Sequence, residues 1–95
     1  MKRIYIDVSE FRTTDTFYRA LLSELGAPDW HGHNLDALWD SITGGDINEI
    51  TPPYHVEVSG SQRVPTELST LLNRVKSLFE EAKADRGIDV SFKTD

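Results

Sequence analysis

Residues 66–92 read TELSTLLNRVKSLFEEAKADRGIDVSF, and how this stretch folds decides how the rest of the chain is arranged. Leu68, Leu71, Leu72, Val75, Leu78, Phe79 and Ala82 recur at intervals of three and four, which places them on one face of a long amphipathic helix. Thr66 is a candidate N-cap. Gly87 predicts the end, because a glycine adopts the left-handed conformation that closes a helix. Ile88-Asp89-Val90-Ser91-Phe92 then alternates apolar and polar residues as a strand does.

Working outward, the same pattern recurs upstream. Ile4-Tyr5-Ile6-Asp7-Val8 is a β-branched and aromatic run, predicted as the first strand. Thr13, Thr14 and Asp15 offer N-caps for a helix carrying Phe17, Tyr18, Leu21, Leu22 and Leu25, which Gly26 and Pro28 bring to an end. Asn34 caps a second helix with Leu35, Leu38, Trp39 and Ile42 on one stripe and Gly44-Gly45 after it. Beyond Pro52-Pro53, Tyr54-His55-Val56-Glu57-Val58 predicts the middle strand, and Ser59-Gly60-Ser61-Gln62 a flexible loop. Strands separated by helices predict an α/β fold with a small three-stranded, largely parallel sheet packed with helices, since parallel neighbours need long crossovers. No repeat, low-complexity tract or linker divides the chain, so residues 1–95 are expected to form a single domain.

Composition limits the function classes. With 95 residues, 38% hydrophobic and 27% charged, the chain is globular in type. The absence of cysteine removes disulfides, thiolate metal sites and cysteine nucleophiles. No apolar run reaches the roughly 18 residues of a membrane span, and the N-terminal stretch is not a signal peptide, so a cytoplasmic protein is expected. The net charge of −6 is concentrated: residues 20–62 contain no Lys or Arg and seven acids, leaving nine acids against all ten bases elsewhere. Nucleic acid and anionic membranes call for cationic clusters, so neither is an expected partner; the acidic segment suits either a solvated surface or a patch that steers a basic partner.

Reactive residues are densest in Asp29-Trp30-His31-Gly32-His33-Asn34-Leu35-Asp36-Ala37-Leu38-Trp39-Asp40. With Leu35, Leu38 and Ile42 turned inward, Asp36 and Asp40 share the outer face one turn apart. Asp36 falls in the first turn, where the helix dipole favours an anion by about 0.3–1 kcal/mol. Asp40 lies beyond that turn and repels Asp36, so local stability explains it least. Two readings of the cluster follow from residue chemistry. His31, His33, Asp36 and Asp40 are ligand types for zinc or manganese in a metal-dependent hydrolase, although His-x-His beside a helix is a weak pattern. The acidic face also suits a module docking on some other basic protein. Paired-carboxylate catalysis needs a cleft that so short a chain has little room for, and no nucleophile elbow or phosphate loop is present, so neither an enzyme nor a cofactor is expected. Trp30 and Trp39 favour protein recognition, indoles being enriched at interface hot spots; Trp39, beside the apolar stripe, also suits a half-buried core position.

Gly32-His33-Asn34-Leu35-Asp36-Ala37-Leu38-Trp39-Asp40 closely resembles the barstar-family signature of glycine, any residue, then Asn-Leu-Asp-Ala-Leu-Trp-Asp, with Pro28 and an aromatic before it. Phe79-Glu80-Glu81-Ala82-Lys83-Ala84 is a second match, and the order of elements fits as well. Barstar-like proteins are intracellular inhibitors of small, basic secreted ribonucleases typified by barnase. The resemblance therefore implies an immunity protein or antitoxin that forms a 1:1 complex and plugs a nuclease active site with the second helix and the loop before it. On that basis Asp40 enters the phosphate-binding subsite, Asp36 pairs with a basic group, and Trp30 stands where the family has a tyrosine that packs on the catalytic histidine. Gly32, Asn34 and Trp39 line the same surface, and Glu81 adds a flanking salt bridge.

The chain also departs from the family. Gly45 stands where the family has a tryptophan, and His33 where the signature carries an acid. The segment between the second helix and second strand is about four residues longer, and residues 59–65 lack the helix formers expected for the family's short extra helix. These differences bear on the choice of nuclease more than on the fold.

Overall fold

The structure is a computed structural model that describes residues 1–28, 32–44 and 48–95. Three strands, β1 (Lys2–Asp7), β2 (Tyr54–Ser59) and β3 (Val90–Thr94), alternate with α1 (Thr14–Leu25), α2 (Leu35–Thr43) and α3 (Thr66–Arg86). The sheet runs β1-β2-β3 and both pairings are parallel, with Ile4 opposite Val56 and Val56 opposite Phe92. Helices α1 and α2 make the first crossover and α3 the second, as the spacing of strand-like and helix-like segments predicts.

Strand alternation decides where the core lies. Ile4, Ile6, Val56, Val58, Val90 and Phe92 are buried, while the residues between them face outward. Against the inner face pack Phe17, Leu21 and Leu25 of α1, Leu38 and Ile42 of α2, and the Leu68, Leu72, Val75, Phe79 stripe of α3, in one cluster. Phe79 is the aromatic centre: its ring lies 5.2 Å from Phe92 and 6.2 Å, edge-on, from Tyr54. Leu78, on the edge of that stripe, is only partly buried.

Among the described residues the outer face carries a polar row instead of a second layer of helices, unusual for a parallel sheet. There His55 Nε2 lies 3.0 Å from Glu57 Oε1, His55 Nδ1 lies 2.5 Å from Ser91 Oγ, and Arg3 approaches Glu57 at 3.9 Å. Hydrogen-bonded polar side chains keep that face compatible with water. Among the described residues no helix is long and apolar enough to cross a membrane.

Three local features differ from the sequence reading. Pro65, not Thr66, occupies the N-cap position of α3 and makes no side-chain capping bond; its carbonyl accepts from Ser69 N–H at 3.0 Å. The last strand begins at Val90, because Ile88 N–H is spent on the Ala82 carbonyl in closing α3 over the left-handed Gly87. Residues 61–63 form a single 3-10 turn where a flexible loop was expected. Asp95 clasps it: its carboxylate accepts from Gly60 N–H at 3.0 Å and from Ser61 N–H at 3.2 Å.

That clasp predicts an acid response. Backbone hydrogen bonds from Gly60 and Ser61 hold Asp95 below the usual carboxylate range, and the Ser9 backbone N–H does the same for Asp7. A depressed folded-state pKa contributes stability above the unfolded value that is lost as pH falls through the folded one. The urea midpoint is therefore expected to be flat above about pH 5 and to fall below about pH 4, with Asp95→Asn reducing the slope. An identical slope in that variant would mean the clasp contributes nothing.

Candidate functional site

Helix α2 and the residues leading into it make up the candidate site. Asn34 is extended (φ −151°, ψ 171°) and its Oδ1 accepts from Ala37 N–H at 2.8 Å, satisfying one of the free donors of the first turn. Gly32 leaves room for that cap, since a Cβ there would come within 2.9 Å of Asn34 Nδ2. At the other end Gly44 N–H bonds the Asp40 carbonyl at 2.7 Å.

Packing fixes which way the helix faces. Leu38 and Ile42 enter the core and Ser41 is buried beside them, its carbonyl accepting from Asn48 Nδ2 at 2.9 Å. The chain after α2 is stitched back to α1 by Glu49 N–H to the Gly26 carbonyl and Ile50 N–H to the Leu25 carbonyl. Gly26 is left-handed (φ 71°), and a Cβ there would fall 2.6 Å from that of Glu49, so both its conformation and this close approach require glycine.

With the inner stripe so anchored, Asp36 and Asp40 are exposed one turn apart on the outer face. Among the described residues neither carboxylate has a cationic partner within salt-bridge distance or a side-chain hydrogen bond. Asp36 has the helix dipole to favour it. Asp40 does not, and like charges at this spacing oppose folding by a few tenths of a kcal/mol. Among the described residues nothing neutralises these two anions.

Trp39 is half-buried against the core, and the Arg86 guanidinium, from the last turn of α3, lies 5.7 Å from its ring centroid. The sequence gives no sign of that contact, because Arg86 already has a local reason to be there in the favourable field of a helix C-terminus. Glu81 is exposed on α3, which packs against α2. The structure thus brings Gly32, Asn34, Asp36, Trp39 and Asp40 together on one continuous segment. Trp30, Gly45 and His31 lie outside the described residues.

The metal reading finds no support. His33 is turned to α1, where its Nδ1 meets Asp15 Oδ1 at 2.6 Å, and among the described residues no three His, Asp or Glu side chains come together as a metal site. Asp15 itself is absent from the sequence reading except as a capping candidate; its contact with His33 spans 18 positions, beyond the reach of local periodicity.

The family model for Barstar (barnase inhibitor) matches residues 1–95. The chain belongs to the barstar family. A protein of Bacillus subtilis (strain 168) named "Putative ribonuclease inhibitor YrdF" is 43% identical to it over 85 residues, covering 90% of this chain and 89% of that protein. The three-stranded parallel sheet with three helices is the barstar-family architecture expected from the signature.

Proposed function

We propose that this barstar-family protein binds a small basic ribonuclease in a 1:1 complex and inhibits it by occlusion, with no chemistry of its own. Asp36 and Asp40, exposed on one face of α2 and without an ion-pair partner among the described residues, are the observation that carries the proposal. A ribonuclease active site must hold a phosphodiester with cationic groups, and a rigid pair of carboxylates on a helix offers those groups charge-assisted hydrogen bonds in the substrate's place. Family membership and the name of the B. subtilis relative support the same reading. Asp40 is the group that enters the phosphate subsite and Asp36 its companion on a neighbouring base. Gly32, Asn34 and Trp39 complete the contact surface, with Glu81 on the neighbouring helix; the family resemblance adds Trp30 and Gly45 to the partner-binding residues. Such an inhibitor acts in the cytoplasm as an antitoxin or immunity protein, protecting the cell that makes the nuclease.

Titration of RNA cleavage by a panel of small basic ribonucleases, barnase-type enzymes among them, tests this. Cleavage by at least one is expected to fall to zero near one equivalent. The association rate with that enzyme is expected to drop on the order of tenfold or more from ~0.02 M to ~0.5 M salt, as electrostatic steering is screened. A folded protein that leaves every enzyme active would refute the proposal, and a salt-independent association rate would refute the role given to the acidic face.

A further inference from the structure

The approach to α2 is held from α1. Asp15, in the first turn of α1, uses both carboxylate oxygens: Oδ1 lies 2.6 Å from His33 Nδ1, and Oδ2 accepts from Arg19 Nη2 at 2.9 Å. Tyr18, three residues along, stacks on the same imidazole, the ring centroids 6.4 Å apart and the planes inclined by 17°. The hydrogen bond from His33, reinforced by the charges of that ring and of Arg19, holds Asp15 below the usual carboxylate range.

Helix α1 has no need of this contact for itself. Thr13 Oγ1 already accepts from Thr16 N–H as its cap, and Arg19 already pairs with Asp15 one turn along. The benefit falls on the other side. His33 immediately precedes the N-cap Asn34, so a ring clamped between Asp15 and Tyr18 sets the path by which the chain enters α2.

We propose that Asp15 is a positioning residue for partner binding: through His33 it fixes residues 32–34 against α1 and thereby the direction in which α2 presents Asp36 and Asp40. The inference rests on α2 being the ribonuclease-facing element, and Asp15 itself touches no partner in it.

Two readouts need no nuclease. In a carboxylate carbon NMR titration, His33→Phe, which keeps a ring on Tyr18 but removes the N–H, is expected to raise the Asp15 midpoint. Asp15→Asn is expected to shift the backbone amides of residues 32–36. A third readout uses whichever ribonuclease the protein inhibits: Asp15→Asn weakens binding about two- to five-fold. Glu24→Gln, which removes the same charge from the other end of α1, changes it less than about twofold; Asp15→Asn also lowers the urea midpoint slightly, because it removes a first-turn anion, so binding is compared without denaturant, where both variants are folded. An unmoved Asp15 midpoint, unmoved amides at 32–36, or equal weakening by the two variants would overturn the positioning role. If the wild-type protein inhibits no ribonuclease, the proposed function fails, while the two NMR readouts still decide whether Asp15 holds the loop.

Discussion

Replacing Asp40 by alanine is expected to leave the urea midpoint unchanged or slightly raised while weakening inhibition of the partner ribonuclease by about 2–5 kcal/mol, a loss of roughly thirty- to several thousand-fold. The barnase–barstar pair is among the complexes that define this range. That pairing follows from what surrounds the carboxylate. Asp40 is exposed, has no ion-pair partner among the described residues, lies outside the favourable first turn of α2 and repels Asp36. Removing it takes nothing stabilising from the free protein. In the proposed complex its removal would leave cationic groups of the nuclease desolvated without a counter-charge, a penalty expected mainly in the dissociation rate. Asp36→Ala should separate the two roles, losing affinity together with a small amount of stability because the helix dipole favours that anion. A thermal melt and an inhibition titration on the two variants check both statements. Destabilisation by Asp40→Ala with inhibition intact would make the residue structural.

The second large effect concerns the scaffold. Phe79→Ala should cost about 3–5 kcal/mol of folding free energy, as measured by urea unfolding. Phe79 is 1% exposed and sits between Tyr54 of β2 and Phe92 of β3. Its truncation opens a cavity where α3 meets the sheet, and the neighbouring rings are themselves pinned by strand pairing and cannot close it. For a domain whose net stability is about 5–10 kcal/mol this is a large share. Any loss of inhibition should track the unfolded fraction, because Phe79 is buried in the core whereas Asp36 and Asp40 are exposed on the outer side of α2. Tyr5→Ala is the contrast: Tyr5 is 64% exposed on the open side of the sheet, and its removal should change stability by less than about 0.5 kcal/mol. A cost below about 1 kcal/mol for Phe79→Ala would contradict the placement of the core.

Much of this was legible in the sequence because it is local. The caps of α1 and α2 at Thr13 and Asn34, the glycine stops at 26 and 87, and the inward stripes of all three helices follow from hydrogen-bonding capacity and a 3.6-residue period. Exposure of Asp36 and Asp40 followed in turn from Leu38 and Ile42 being buried. Contacts between distant segments were not legible. The Asp95 clasp on Gly60 and Ser61, the Asp15–His33 pair and the Arg86–Trp39 contact each join segments whose own composition has a sufficient local explanation. The two-residue shift of β3 has a similar cause: Ile88 looks like strand, but its N–H closes a helix. The bare outer face of the sheet was hidden because His55, Glu57 and Ser91 read simply as the polar half of an alternating pattern until their hydrogen bonds across the strands are seen.

The central claim is that the Asp36/Asp40 face of α2 is where a ribonuclease is bound. Backbone hydrogen exchange of the chain, alone and saturated with a small basic ribonuclease that it inhibits, tests this most directly. Slowed exchange concentrated in residues 32–43 and the facing end of α3, with the open face formed by β1, β2 and β3 unchanged, is the result expected. Protection confined to that open sheet face, with residues 32–43 exchanging as in the free protein, would contradict the account.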